Sequence, residues 1–312
     1  MGTCCASERG HALDQDFPDF AEKCQVVSVR FDHDTVKESL LQADQVDAIP
    51  LNYDVFPQEL IDQTVAFATE QLGMSMSEWQ KEWCTPFRVS LYLRGRNGDV
   101  MAAGKLVAKA LEWRRQHWDL LTGQRTPIWQ GDMRILCQGG SGHPLLYTSH
   151  RFQTQSYNQR DMVEHAAVVL ETAVKMMPQH VHQLDAVLDL KHFQLRYNLD
   201  PRGVIGAGEL LKYAFRDVLR SIMIVDAPAA LSVLWSLVKP TLPEGTQRKV
   251  VFLPAEKALE CVSRLQGARA AHVLQEVIQA NREAHGDGAV PRFPSEVAVY
   301  ESADDLRARK VG

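Results

Sequence analysis

The sequence lacks the features that mark several large classes of protein. Its 312 residues are 45% hydrophobic and 23% charged, which are ordinary values for a globular protein and exclude a disordered or collagen-like chain. Lys and Arg together number 34 against 39 Asp and Glu, so the formal net charge is −5. Because a general nucleic-acid binder usually carries an excess of positive charge, this balance predicts no nucleic-acid partner.

Paired cysteines and a secretory signal are missing as well. The six cysteines form no C-x-x-C motif, and a chain of this length does not need disulfides to hold its core. We therefore expect free thiols, a reducing compartment and a cytoplasmic protein. Acidic residues interrupt the first 25 residues, which argues against a secretory signal.

The longest apolar stretch, residues 221–238, is not continuous enough to predict a membrane span. Asp226, Pro228 and Ser232 divide it into a short run, a break and an amphipathic piece. This pattern predicts a buried strand followed by a helix.

The first residues contain candidate sites of lipid modification. Removal of Met1 would expose Gly2 for myristoylation, and Cys4 and Cys5 could then take palmitate. A second acyl group matters physically, because a single myristoyl chain anchors a protein only marginally. The strict pattern prefers Ser or Thr where the chain has Ala6, so an unmodified leader is the alternative. If acylated, the protein would associate peripherally with membranes.

Apolar periodicity predicts helices first and then strands alternating with helices. Helices are expected at 57–73 and at 99–118, where Asp99 can cap the second helix. Strands are predicted at 24–30, 128–137, 145–149, 184–190, 222–225 and 250–253. Further helices are predicted at 158–177, 204–219, 229–238, 255–265 and 266–285, and an extended tail follows from 287. The alternation favours an α/β fold with a mostly parallel sheet and crossover helices.

No motif in the sequence supports catalysis. Neither G-x-S-x-G nor G-x-G-x-x-G occurs, and Gly139–Gly142 lacks the Lys and the helix of a phosphate loop, so a tight turn is expected there. His180 and His182 form an H-x-H without further ligands, so no metal site is predicted. The sequence therefore predicts a binding protein rather than an enzyme, with no cofactor other than its ligand.

An ordered series of short motifs resembles the CRAL-TRIO family. The series consists of residues 91–100 with 110–115, then 142–147, 187–191, 224–228, 238–242 and 249–253. Its order and spacing hold from about residue 57 to residue 265, although each motif alone is weak. The resemblance implies a helical N-terminal bundle on an α/β lipid-binding domain, closed by a mobile gate helix.

This resemblance leads to a division of the chain. We expect a poorly matched leader at 1–50, a helical bundle at 51–122, an α/β lipid-binding domain at 123–265, and a C-terminal helix and tail at 266–312. The gate helix would lie at 229–242, with the apolar residues Leu231, Val233, Leu234, Leu237 and Val238. The alternative for these residues is ordinary core packing.

The resemblance also implies a headgroup site for phosphatidylinositol at Arg96, Asp217, Thr246 and Lys249. Arg96 and Lys249 would contact the phosphate, and Thr246 would donate a hydroxyl hydrogen bond. Asp217 would accept hydrogen bonds from the inositol hydroxyls, or it would influence the site indirectly through the residues that contact the lipid. Two departures stand out: the family usually has Glu followed by Arg where this chain has Asp217 and Val218, and the family's C-terminal strand with Gly-Gly is not evident after residue 265.

Three functions remain open at this stage. The first is a phosphatidylinositol-binding transfer protein that exchanges lipid between membranes. The second is a carrier of another hydrophobic ligand, such as a retinoid, a tocopherol or a sterol-like molecule. The third is a lipid-sensing membrane scaffold that transfers nothing. Depending on the function, the ligand would be a phosphoinositide, another phospholipid or a different hydrophobic molecule. In each case a membrane surface would be the partner. We expect a monomer.

Overall fold

The computed structural model describes most of the chain between residues 54 and 283. The described residues are 54–127, 132–152, 159–194, 198, 201–228, 231, 235, 239 and 244–283, with the backbone alone at 159, 201, 202, 204, 244 and 246. They all belong to one compact unit. The candidate acylation residues Gly2, Cys4 and Cys5, the predicted strand at 24–30 and the predicted tail lie outside the described residues.

The described residues ahead of the sheet are helical. Their helices are α1 (Gln58–Leu72), α2 (Glu78–Trp83), α3 (Pro86–Arg94), α4 (Val100–Gln116) and α5 (Trp118–Leu121). The predicted helices at 57–73 and 99–118 are confirmed as α1 and α4. Asp99 caps α4 as expected, since its Oδ1 accepts a hydrogen bond from the Ala102 amide at 2.9 Å. The helices α2 and α3 are not among those that the apolar periodicity predicts.

A five-stranded sheet follows, in the order β1-β2-β3-β4-β5. Its elements and the helices around it are β1 (Asp132–Gln138), β2 (Pro144–Ser149), α6 (Gln159–Met176), β3 (Leu184–Asp189), α7 (Pro201–Tyr213), β4 (Leu219–Val225), α8 (Glu244–Gln247), β5 (Val250–Leu253), α9 (Ala255–Gln266) and α10 (Ala268–Glu283). β1 pairs antiparallel with β2 through the predicted glycine turn, and β2 to β5 are parallel. The predicted α/β fold with a mostly parallel sheet is confirmed.

One predicted boundary is wrong. The helix expected at 204–219 ends at Tyr213, and β4 begins at Leu219 rather than at residue 222. The polar pair Arg220 and Ser221 concealed the start of the strand. Both side chains bind the buried carboxylate of Asp185 on β3, with Ser221 Oγ at 2.6 Å from Oδ1 and Arg220 Nε at 3.0 Å from the same atom.

The two faces of the sheet are covered by different helices. One face packs against α9 and α10 in a core whose sheet residues are Leu136, Leu145, Tyr147, Val187, Met223, Val225, Val251 and Leu253. The other face packs against α6 and α7 near β1 to β3, and against Leu231 and Trp235 near β4 and β5. In the described region after residue 265, the chain forms α10 rather than the family's C-terminal strand.

Within the described residues, no helix combines the length and the apolar character that a membrane crossing requires.

Candidate functional site

Two of the residues predicted to bind a headgroup meet at one edge of the sheet. Asp217 lies two residues before β4, and Lys249 immediately precedes β5. Because the amino ends of parallel strands share an edge, the two side chains come together, and Lys249 Nζ pairs with Asp217 Oδ1. The side chains are 12% and 30% exposed, so the pair is accessible from solvent.

The backbone at Asp217 explains this placement. Its φ of 59° lies in the left-handed region, which is uncommon for a residue with a side chain but tolerated by Asp. Its carbonyl oxygen accepts a hydrogen bond from Gln183 Nε2 at 2.9 Å, which fixes the turn between α7 and β4. Oδ2 of Asp217 accepts no hydrogen bond from the part of the chain that the structure describes.

Arg216 joins the end of α3 to this edge. Its guanidinium group lies against Gly95, so closely that a Cβ added to Gly95 would be 1.5 Å from Nη2. Its Nε donates a hydrogen bond to the Leu91 carbonyl at 3.0 Å, near the C-terminus of α3, where positive charge is favourable. It also lies 5.8 Å from the centre of the Tyr92 ring.

Arg96 follows Gly95 and is exposed. Burial lowers the pKa of Arg216, and the charge of Arg96 lowers it further, whereas Tyr92 and Asp217 oppose the shift. Arg96 is therefore within electrostatic range of Arg216. We call Arg96, Arg216, Asp217 and Lys249 the cationic rim.

The helical part is tied to the rim by one buried tyrosine. Tyr92 is 1% exposed, and its hydroxyl donates a hydrogen bond to the Tyr213 carbonyl at the end of α7. This contact joins residues that are 121 positions apart in sequence, so it holds α3 next to the turn that carries Arg216 and Asp217. Burial raises the pKa of Tyr92, which keeps the hydroxyl protonated as a donor.

The fourth predicted residue, Thr246, lies in α8, three positions before Lys249. Only its backbone is described. Its role as a hydroxyl donor therefore stays a prediction.

Apolar side chains continue from the rim along one face of β4 and β5. The Ile222 amide donates to the Lys249 carbonyl at 2.7 Å, so this face begins at the rim itself. Ile222, Phe252, Leu231 and Trp235 are half-buried, and they pack against the buried residues Leu190, Phe193, Ile224 and Val250. On the opposite face, Met223 and Val251 are at most 1% exposed. On the face next to the rim, Ile224 and Val250 are buried as well, and the accessible apolar surface of this face lies at Ile222 and Phe252.

The predicted gate is described at few positions. Leu231 and Trp235 are helical and one turn apart, and the Trp235 ring lies 5.9 Å from that of Phe252. The remaining predicted gate residues, Val233, Leu234, Leu237 and Val238, lie outside the described residues.

A second polar cluster lies at the opposite, carboxyl edge of the sheet. Arg282 of α10 bridges Asp189, at the end of β3, and Asp226, where the chain leaves β4 for the predicted gate. Nearby, Asn281 Nδ2 donates to Asp132 Oδ2 at 2.7 Å. These contacts fix α10 across the strand ends and hold the first residue of the segment that leads to Leu231.

Two residues of this region, Arg216 and Trp235, are not among those that the sequence predicts. A signal for Arg216 was present, because the family places an Arg after its acidic residue and this chain places one before it. Trp235 lies one helical turn after Leu231, and this spacing could have identified it, but the predicted gate residues included only aliphatic side chains.

Three comparisons place this chain beside known proteins. Residues 135–265 match the CRAL/TRIO domain. The phosphatidylinositol transfer protein PDR17 of Saccharomyces cerevisiae is 26% identical over 129 residues, which cover 38% of this chain and 37% of that protein. The chain thus aligns with little more than a third of that relative's length. The alignment with the crystal structure of Sfh5 covers 91% of this chain and 99% of the Sfh5 chain, with 13% sequence identity and a TM-score of 0.49.

Proposed function

The chain belongs to the CRAL-TRIO family, with the family domain at residues 135–265, and we propose from this premise that it binds one lipid molecule and exchanges it between membranes. The lipid we propose is phosphatidylinositol. The relative named as a phosphatidylinositol transfer protein supports this choice, as does the chemistry of the cationic rim. The proposal concerns binding and release, with no bond made or broken.

Elementary energetics explain why the headgroup decides which lipid is carried. Each buried CH₂ is stabilised by about 0.8 kcal/mol, so two long chains hold a phospholipid in its bilayer by tens of kcal/mol. An apolar cavity offers nearly the same environment, and the contribution of the tails nearly cancels in the exchange. Hydrogen bonds to a charged headgroup contribute about 1.5–3 kcal/mol each, so two of them are enough to select a lipid.

The observation that carries the proposal is the adjacency of the cationic rim to the half-buried apolar face of β4 and β5. A phospholipid has the same sequence of chemistry, with an anionic group joined to apolar chains. Lys249 belongs to both parts, since its side chain is in the rim and its carbonyl pairs with Ile222 on the apolar face.

Asp217 supports an inositol headgroup in particular. Its Oδ1 is engaged by Lys249, and its Oδ2 has no donor within the described residues. A carboxylate oxygen can only accept hydrogen bonds, and inositol supplies hydroxyl donors. In phosphatidylcholine the hydroxyl of choline is esterified to the phosphate and its quaternary ammonium has no N–H, so this headgroup has no hydrogen-bond donor for Oδ2, whereas inositol has several.

The test is a transfer assay between vesicles with the double variant Arg96→Ala, Lys249→Ala. Loss of two charge-assisted hydrogen bonds to the phosphate should weaken phosphatidylinositol uptake by about a hundredfold or more. The matched control is Lys81→Ala, Lys257→Ala, which removes the same charge from two exposed ion pairs on α2 and α9. Equal uptake of phosphatidylinositol by the wild type and the double variant would reject the site.

Native mass spectrometry of the purified protein identifies the bound ligand directly. A co-purified inositol lipid is the expected result. A neutral hydrophobic molecule such as a retinoid or a sterol would overturn phosphatidylinositol as the ligand. A bound inositol lipid with no transfer between vesicles would instead indicate a lipid-sensing scaffold.

A further inference from the structure

We propose that Arg216 is a third anion-contacting residue of the cationic rim, and that the rim therefore prefers a phospholipid with a phosphomonoester on its headgroup over one with a phosphodiester alone. This inference rests on the proposed function and specifies the ligand of the same site. The juxtaposition of Arg216 with Gly95 and Arg96 carries it.

The rim carries an excess of positive charge. Its three cations and one carboxylate have a net charge of +2. Lys249 and Asp217 already compensate each other in their ion pair. Arg96 has no ion pair with any residue that the structure describes, so the excess charge lies on the two arginines.

A second feature of the rim is the state of the Arg216 guanidinium. Only Nε donates a hydrogen bond within the described part of the chain, to the Leu91 carbonyl. The two terminal amino groups are left with donor hydrogens, and Nη2 is the atom that lies against Gly95, next to Arg96. A guanidinium fork of this kind matches the oxygens of a phosphate group.

The two kinds of headgroup differ in charge. A phosphodiester carries one negative charge, whereas a phosphomonoester contributes about −1.5 to −2 near pH 7. The charges of Arg96 and Arg216 repel each other, and a dianion bound at the Gly95 end of the rim compensates that repulsion better than a monoanion does. The rim thus has the charge and the donors for one phosphate more than phosphatidylinositol carries.

Packing alone does not account for Arg216. The contacts with the Leu91 carbonyl, the Tyr92 ring and Gly95 explain the position of the group, but within the described residues they give the terminal amino groups no hydrogen-bond acceptor. A structural role predicts lower stability with unchanged lipid preference. A binding role predicts a change in the ratio of affinities for two lipids.

The experiment measures uptake from phosphatidylcholine vesicles that contain phosphatidylinositol, a phosphatidylinositol monophosphate or phosphatidic acid. The wild type should take up the monophosphate about tenfold or more better than phosphatidylinositol, as expected for one further charge-assisted contact. Arg216→Met should lower uptake of the monophosphate about tenfold more than it lowers uptake of phosphatidylinositol, so that the preference is lost. An equal preference in the wild type and Arg216→Met would overturn the proposal.

A second variant moves the guanidinium group without removing it. Gly95 has an ordinary φ of −72°, so Ala fits its backbone, but the added Cβ must displace the end of the Arg216 side chain. Gly95→Ala should therefore lower the preference for the monophosphate as Arg216→Met does. Gly208→Ala on α7 is the control, since its Cβ would meet nothing within 4 Å.

Uptake of phosphatidic acid and competition by a soluble inositol phosphate identify which molecule supplies the phosphate. Phosphatidic acid uptake equal to that of the monophosphate would support recognition of the phosphomonoester itself, and uptake of the monophosphate alone would support recognition of the phosphorylated ring. Soluble inositol phosphate that displaces the lipid fully at equal concentration would overturn a lipid ligand. Failure of the proposed function would look different, since no inositol lipid would then be taken up and Arg96→Ala, Lys249→Ala would have no effect.

Discussion

Replacement of Arg282 by Met should destabilise the protein strongly, although Arg282 lies outside the core. Arg282 Nη2 is 2.8 Å from Asp189 Oδ1 and 2.9 Å from Asp226 Oδ2, and Nε is 3.2 Å from Asp189 Oδ2. The Asp189 side chain is only 2% exposed. The substitution keeps much of the apolar stem and leaves a buried carboxylate without its cation.

The magnitude follows from what Asp189 keeps. Removal of one partner from a buried ion pair costs about 3–5 kcal/mol. Asp189 still accepts hydrogen bonds from the Lys191 amide at 3.0 Å and from the Tyr147 hydroxyl at 3.2 Å, so we expect the lower end, about 3 kcal/mol. For a domain of about 150–250 residues, this loss lowers the melting temperature by about 6–12 °C.

The assay is urea unfolding followed by circular dichroism, arranged as a double-mutant cycle with Asp189→Asn. The double variant should recover a large part of the loss, because no charge is then left buried without a partner. Arg115→Met is the matched control, since it breaks an exposed pair with Glu112 and should leave the unfolding midpoint nearly unchanged. The reasoning fails if Arg282→Met behaves like the control, or if the two single losses simply add in the double variant.

Two further predictions concern pH and the last helix. Burial raises the pKa of Asp132 from 3.8 to about 6 and lowers that of His150 from 6.5 to about 4. The contribution of Asp132 to stability is fully present below pH 3.8 and disappears as the pH rises through about 6, whereas that of His150 is present above pH 6.5 and disappears as the pH falls towards 4. The contribution of each residue amounts to about 3 kcal/mol, so the gain from Asp132 and the loss from His150 nearly cancel as the pH falls. In Asp132→Asn only the loss from His150 remains. The urea midpoint of this variant should therefore fall more steeply than that of the wild type between about pH 6 and 4. Parallel pH profiles would contradict this account. On α10, Leu274 is fully buried, and Leu274→Ala should lower the free energy of unfolding by about 2–5 kcal/mol, whereas His272→Ala on the exposed side should not; equal urea midpoints for the two variants would show that α10 is not part of the core.

Local patterns were enough to predict the elements whose signals lie within their own residues. The apolar spacing and the cap at Asp99 predict α4, and a short apolar run between polar residues predicts β5. The glycine turn at 139–142 is equally local, since Gly142 adopts a φ of 80° that side chains rarely allow.

The start of β4 and the position of Arg216 could not be read in this way. Arg220 and Ser221 look like loop residues until their partner Asp185 is known, and that partner is 35 residues away from Arg220. Arg216 looks like an ordinary surface charge until α3 brings Gly95 against it, 121 residues earlier in the chain.

The sequence by itself therefore determined the longer helices, most of the strands and the parallel α/β class, and its family resemblance supplied the candidate residues Arg96, Asp217 and Lys249. Only the tertiary structure decided that Asp217 pairs with Lys249, that Arg216 joins them, and that Arg282 closes the opposite edge of the sheet. The physical reason is the distance along the sequence over which each interaction acts. Backbone preference and apolar periodicity act over a few residues, whereas the charge and accessibility of a side chain depend on groups that only folding brings within a few ångströms of it.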